Sequence, residues 1–353
     1  MRLERLIKGV EEEGLDAYLV HGSANIYYLT SSTGGGLLLI REGEATLYTP
    51  GLNYPMALEQ VEVCEVSSYP RGEEGLFKAI SGRLREGESV GYNTLPLSLY
   101  RRLREAFEGV ELRERSELIW RMRRVKEEGE LELMRRAGRL ADLGMEAARE
   151  ALRQGVREHE VAAEIAHVMM REGAEGLAFQ PIVASGYRSA YPHGGVTDKR
   201  IEQGELVVVD IGATYKEYRS DITRTFIVGK PSQRQERIYN VVLEAHLKAM
   251  ETLKPGVEAR EADDIARRVI SEAELGEYFI HSLGHGVGLE VHEPPTLSER
   301  SEDVLERGNV VTDEPGVYIP RFGGVRIEDM VLITDSGVER LTRFEKDLDA
   351  VMI

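Results

Sequence analysis

Four acidic residues stand where a strand pattern calls for apolar ones. Asp210 closes the run Val207-Val208-Val209, and Asp221 opens the next apolar segment, DITRTFIV. Glu314 and Glu328 lie in DEPGVYIP and GVRIED, again among Val, Ile and Tyr. Antiparallel pairing of 205–211 with 221–228, and of 308–319 with 324–334, puts the two acids of each hairpin on one face. Four carboxylates turned into a common interior repel strongly unless a multivalent cation neutralises them. His285, in HSLGHGVGLEVHE, adds an imidazole where Gly284, Gly286 and Gly288 permit close approach and sharp turns. Four carboxylates with one imidazole suit two divalent ions, Mn²⁺ or Co²⁺ first and Zn²⁺ or Fe²⁺ next, rather than one tetrahedral structural zinc. Two such ions about 3.5–4 Å apart acidify a shared water and polarise a carbonyl, which is the chemistry of hydrolysis. A lone Asp at a strand end is usually a turn or cap residue. Two acid-bearing hairpins with a histidine between them make that structural origin the weaker reading.

The elements that must hold these residues are legible in outline. Leu3, Leu6, Ile7 and Val10 recur at helical spacing and predict a first amphipathic helix. Residues 15–21, 36–41 and 45–49 read as short strands, and 73–86 and 97–108 as helices. Together they predict a small α/β domain over 1–115. The basic stretch SELIWRMRRVK at 116–126 reads as a linker, and 127–353 as the domain that carries the acids. There the pattern predicts a long helix from Glu127 to about Leu152, another over 158–171, the first hairpin, helices over 234–253 and 258–273, and the second hairpin. Hairpin, helices, hairpin implies two related halves.

Composition excludes several classes. A formal net charge of −17 opposes nucleic acid and anionic membrane surfaces alike. The chain lacks the 18-residue apolar run of a membrane span, and Glu4 and Glu11–Glu13 interrupt any signal-peptide core. One cysteine, Cys64, cannot form an internal disulfide, which predicts a reducing cytoplasm. HEPPT at 292–296 is no zinc-helix motif, because Pro294 and Pro295 bar a helix interior. His159, His167 and His246 read as solvated or packed helical residues, Cys64 as a small apolar one, and Asp198, Asp263 and Asp264 as turn and helix-surface charges.

The segments YPHGG at 191–195, VVVDIGATYKEYRSDITRTF, HSLGHGVGLEVHE, DEPGVYIP and GVRIED resemble the signatures of the prolidase/aminopeptidase P/creatinase family. The likeness runs motif by motif from about residue 116 to the C-terminus. It implies an α/β (α+β) protein: a "pita-bread" catalytic domain behind a smaller creatinase-like N-terminal domain. It also implies a homodimer that hydrolyses Xaa-Pro bonds of short proline-containing peptides. By resemblance Asp221 and Glu328 bridge two ions, Asp210 completes one shell, and His285 with Glu314 the other. Glu314 is also the general base. His193, His281 and His292 resemble three further histidines that steady the oxyanion, the substrate carbonyl and the proline-side pocket. Arg326 resembles an arginine that orients Glu328 or the substrate. Close prolidases commonly carry an arginine after the His-Glu-x-Pro segment, to pair with a dipeptide's carboxylate. Here that residue is Thr296, which implies tolerance of longer peptides, with Arg300 a possible substitute. A metal-free creatinase-like amidinohydrolase and a non-catalytic peptide-binding module are the rival readings, and both should have lost ligands that are present here.

Overall fold

The computed structural model describes residues 1–70 and 72–353. The chain divides into two compact units, Met1–Arg123 and Arg124–Ile353. In the first, α1 (Arg2–Glu12) buries Leu3, Leu6 and Val10 along the stripe that the sequence predicts, and Ile7 is half-buried. The strands β1 (Ala17–His21), β2 (Leu37–Arg41), β3 (Glu44–Pro50), β4 (Glu65–Tyr69), β5 (Ser89–Tyr92) and β6 (Glu111–Glu114) form one sheet in the order β4-β3-β2-β1-β5-β6. Around it run α2 (Ser23–Thr30), α3 (Tyr54–Gln60), α4 (Glu73–Ser81) and α5 (Leu97–Ala106). The helix expected over 73–86 stops at Ser81 because Gly82 follows, a poor helix residue. A further helix, α6 (Glu117–Arg124), occupies most of the segment 116–126.

The second unit opens on α7 (Glu128–Ala151) and α8 (Glu158–Arg171), which pack on one another. After the two-residue β7 (Gly176–Leu177) come β8 (Ile182–Ser185) and β9 (Leu206–Ile211). β10 (Ala213–Tyr215) and β11 (Tyr218–Arg219) make a small sheet with β7. β12 (Ile222–Ile227) then pairs antiparallel with β9 to complete the sheet β12-β9-β8. A second helix pair follows, α9 (Gln233–Thr252) and α10 (Ala259–Glu272). The first begins on a capping box, Ser232 and Gln235 each bonding the other's backbone N–H. The last strands are β13 (Gly284–Gly286), β14 (Glu293–Leu297), β15 (Val310–Asp313), β16 (Gly316–Ile319), β17 (Gly323–Arg326), β18 (Asp329–Thr334) and β19 (Gly337–Arg340). They form a five-stranded sheet, β14-β13-β15-β18-β19, and the separate ribbon β16-β17. Thus a helix pair precedes an acid-bearing hairpin twice. Leu140, Met145, Val209, Phe226, Val311 and Val331 belong to one continuous buried core between them.

The second hairpin differs from its expected form. It is not one ladder over 308–319 and 324–334 but two, β15 with β18 and β16 with β17. The break falls at both glutamates. Pro315 has no N–H to contribute. The Glu314 N–H donates instead to Leu283 O at 2.8 Å, and that of Glu328 to Thr223 O at 3.1 Å. Each glutamate is thereby tied to a neighbouring strand rather than to its own hairpin.

Helix α7 approaches these strands so closely that Gly138 meets the Leu341 backbone, and the Ser220 hydroxyl, beside Asp221, donates to Ala137 O at 2.9 Å. Gly to Ala inside a helix ordinarily stabilises by about 1 kcal/mol. At Gly138 the added methyl would collide with the Leu341 carbonyl, so Gly138→Ala should instead destabilise by about 1–3 kcal/mol. Thermal unfolding checks the sign: a melting point that rises would contradict this packing.

Candidate metal centre

Strand parity sets the acids on one face. Asp210 in β9 pairs with Thr223, so Asp221, two residues earlier on the returning strand, is its diagonal neighbour on the same side. In the second sheet Asp313 pairs with Asp329, which leaves Glu314 and Glu328 facing each other just beyond the end of the ladder. Carboxylate oxygens of Asp221 and Glu328 and a ring nitrogen of His285 lie within 4.8 Å of one another. His285 Nε2 is 3.2 Å from Glu314 Oε1 and 3.9 Å from Asp221 Oδ2. Its Nδ1 donates to Gly286 O at 3.1 Å, which leaves Nε2 turned toward the acids, donating to Glu314 while it holds a proton and offering a lone pair once a cation displaces that proton.

Two threonines hold the glutamates in matching ways. Thr223 Oγ1 accepts from Arg326 Nε at 3.0 Å and donates to Glu328 Oε2 at 2.7 Å. Thr312 Oγ1 accepts from the His285 N–H at 3.1 Å and donates to Glu314 Oε1 at 3.1 Å. Arg326 does not touch Glu328. Its Nη2 donates to Asp210 Oδ2 at 2.5 Å, and it reaches Glu328 only through Thr223. Asp210 Oδ1 is buried and accepts no hydrogen bond from the described residues. An orphaned carboxylate oxygen beside three other acids is what a cation ligand looks like before its cation is counted.

Burial raises the pKa of Asp221 and Glu328 well above the usual carboxylate range, and neighbouring carboxylates push the same way. Asp210 is raised too, again chiefly by burial, with Arg326 opposing. Glu314 differs. Burial pushes it up, but the hydrogen bond and charge of His285 prevail and hold it at about 2. His285 is correspondingly raised by Glu314 against the effect of its own burial. Asp221 and Glu328 therefore favour holding protons unless a cation replaces them, whereas Glu314 does not, and the mixed oxygen and nitrogen donor set fits divalent metal.

A cavity of about 460 Å³ opens over these groups, lined by His193, His281, His285, His292, Glu314 and Arg326 among others. A second, of about 300 Å³, shares His193 and His292 and adds Phe179, Val291 and Asp221. His292 leans on His285 with ring centroids 4.1 Å apart, and its pKa is lowered by burial and then by the His285 charge, so it is neutral. Thr296 pairs across the ladder with His285 and lines the larger cavity. Arg300 does not line that cavity.

His281 departs from expectation. Arg326 Nη1 donates to the Tyr318 hydroxyl at 2.8 Å, Tyr318 donates to His281 Nε2 at 2.9 Å, and His281 Nδ1 donates to Ser282 O at 2.7 Å. Both ring nitrogens are engaged, so His281 walls the cavity and has no free N–H for a substrate. Asp263 is likewise no surface charge: it is fully buried, binds Arg267 and accepts the Leu283 N–H at 2.8 Å. His246 is packed, its Nε2 3.3 Å from Asp329 Oδ2. Among the supporting residues missed from sequence, Thr223 and Thr312 were findable, each standing two residues from an acid on the same strand face. Tyr318 was not, because it reads as core.

Comparison with known proteins bears on the family and the fold. The model for metallopeptidase family M24 matches residues 132–335, and that for the creatinase/prolidase N-terminal domain matches 2–125. A Xaa-Pro dipeptidase of Pyrococcus furiosus is 46% identical over 98% of this chain and 99% of its own. The crystal structure of the prolidase from Pyrococcus horikoshii superposes with a TM-score of 0.93 at 45% identity, covering 98% of this chain and 99% of the other. An X-Pro aminopeptidase from Thermotoga maritima gives 0.90 at 36%, covering 99% of each. No helix among the described residues is long and apolar enough to cross a membrane.

Because the raised carboxylates are protonated above their ordinary pKa of about 4, metal binding must expel protons, and metal affinity must climb as pH rises through that range. Calorimetric Mn²⁺ titrations in buffers of different ionisation enthalpy measure the release. Expected is net proton release that grows toward lower pH; none between pH 5 and 7 would contradict the proposed ligand protonation.

Proposed function

The chain belongs to metallopeptidase family M24, and on that premise we propose that it hydrolyses the bond before proline in short peptides. In this reading Asp210, Asp221, His285, Glu314 and Glu328 hold two divalent ions, Mn²⁺ or Co²⁺. The observation that carries it is the convergence of Asp221, His285 and Glu328 within 4.8 Å of one another, with Glu314 3.2 Å from His285, in one interior where burial disfavours charge. When bound, the ions supply Lewis acidity toward the scissile carbonyl and draw the pKa of a water toward neutrality. Glu314, which lines the cavity 3.2 Å from His285, takes that water's proton. His292 is a neutral hydrogen-bond donor at the cavity wall. With His193 it steadies the carbonyl as charge develops on it. A proline amide lacks an N–H and restricts the residue before it, so it needs a dedicated apolar pocket, and Phe179 and Val291 supply apolar wall beside Asp221. The names of the dipeptidase and prolidase relatives support the same substrate class. A homodimer and a reducing cytoplasm complete the proposal. The lone, half-buried Cys64 fits the latter, its thiol pushed up to about 11 by burial.

Thr296 favours a further point about substrate length. It is exposed at the cavity, cross-strand from His285. Arg326, the one Arg or Lys among the described lining residues, is committed to Asp210, Thr223 and Tyr318. A dipeptide's carboxylate thus finds a hydroxyl where bidentate arginine pairing would be strongest. The enzyme should therefore cleave Xaa-Pro-Xaa tripeptides as well as dipeptides.

Four assays test these statements. Exhaustive chelation should abolish hydrolysis of Xaa-Pro peptides, with Mn²⁺ or Co²⁺ restoring it; full activity in a verified metal-free sample would favour creatinase-like chemistry. Glu314→Gln should lower kcat by several orders of magnitude, roughly 10²–10⁴ from lost general-base catalysis alone. His292→Ala should weaken catalysis with metal content unchanged by elemental analysis, and metal loss would make His292 a ligand. Ala-Pro-Phe should be cleaved appreciably, and Thr296→Arg should lower KM for dipeptides; strict dipeptide specificity in the wild type would overturn the role given to Thr296.

A further inference from the structure

Glu158, the first residue of α8, is fully buried, and five donors converge on its carboxylate. Oε1 accepts from the Ser185 N–H and the Ser185 hydroxyl, both at 2.8 Å. Oε2 accepts from the Thr197 N–H at 3.0 Å, the Thr197 hydroxyl at 2.7 Å and the Arg188 guanidinium. The other arm of Arg188 donates to Gly194 O. One side chain thereby ties down both ends and the middle of the segment 185–197.

A buried carboxylate costs several kcal/mol unless it is paired and fully hydrogen-bonded. Here Arg188 and four further donors offset that cost, and all of them come from this one segment. His193 lies inside it, next to Gly194, and lines both cavities. No hydrogen bond from a described residue holds its exposed ring, so its backbone sets its place. Glu158 gathers more of that backbone than any other described side chain, with Arg326 reaching Pro192 O at 3.4 Å and Ser189 accepting from the Gly324 N–H at 2.9 Å, and Glu158 is held by α8, whose Val161, Ile165 and Met169 are wholly buried in the core.

We propose that Glu158 is a positioning residue for His193, presetting the segment that carries it against the cavity. The proposal rests on the functional reading above, in which His193 steadies the reacting carbonyl. A displacement of about 1 Å at such a group can cost 10²-fold in rate. Glu158→Gln keeps the side chain's size but sets an amide NH₂ against one of the donor clusters, so the segment must shift.

The test is a double-mutant cycle on metal-loaded enzyme with an Xaa-Pro peptide. Glu158→Gln should lower kcat by about 10–100-fold, the usual loss for a supporting hydrogen bond, with metal content unchanged. Added to His193→Ala, it should cost no more than a further 2–3-fold, roughly the limit of additivity error. Added to His281→Ala, on a different segment, it should cost its full factor. General structural damage would instead multiply with both. Should Glu158→Gln fail to fold, Thr197→Val, which removes one hydroxyl donor and keeps the backbone N–H, should show the same coupling at about 3–10-fold. Additive losses with His193→Ala, loss of metal, or an inert His193→Ala in an active wild type would each overturn the proposal. A metal-loaded wild type that cleaves no Xaa-Pro peptide would instead sink the functional reading, and this proposal with it.

Discussion

Four carboxylates share one interior, and the rest of the second unit is organised around their mutual repulsion. Two unit charges 4 Å apart interact by about 4 kcal/mol at the effective dielectric of a partly buried site, and four acids make several such pairs. No ordinary domain stability of about 5–15 kcal/mol absorbs that without compensation. The compensation takes two forms. Protons or cations neutralise the acids on their inner side. On the outer side a second buried cluster holds the strands in place: Asp329 is bonded by Arg224 at 2.7 Å and lies beside His246 and Lys346. Because successive residues of a strand point to opposite faces, Glu328 and Asp329 serve the two clusters from adjacent positions, as do Glu314 and Asp313.

The supporting hydrogen bonds share a logic. Each hydroxyl at the site, that of Thr223, Thr312 or Tyr318, accepts from one neighbour and donates to the next, so direction runs from fixed donors toward the reactive groups. Arg326 starts two of these runs and grips Asp210 directly. That arrangement separates the acids in character. Asp221 and Glu328 are raised by burial, whereas Glu314 is held at about 2 by His285, so neighbouring carboxylates in one interior differ in how readily they hold a proton.

How much of this was legible in the sequence follows from what each residue's identity can reveal. Asp210, Asp221, Glu314 and Glu328 stood out because charge is improbable in an apolar strand, and strand parity alone put each pair on one face. The helices were legible from periodicity, with ends blurred where a single glycine such as Gly82 decides. The split of the second hairpin was not read, although Pro315 signalled it, because the partners that replace the ladder, Leu283 and Thr223, are remote in sequence. For the same reason Asp263 and Glu158 passed as helix-surface charges or went unremarked. Arg267, four residues on, would bond a surface Asp263 just as well, and the donors that mark these helical acids as buried come from 20 to 39 residues away. That both ring nitrogens of His281 are engaged follows from hydrogen-bond direction, which only the placement of Tyr318 and Arg326 decides.

The central claim is that these five side chains together hold a pair of ions. Anomalous diffraction from crystals of the Mn²⁺-loaded protein measures this directly. The account predicts two peaks about 3.5–4 Å apart among Asp210, Asp221, His285, Glu314 and Glu328, the spacing of two-metal hydrolytic sites. A single peak, or manganese bound away from these residues in an active crystal form, would contradict it.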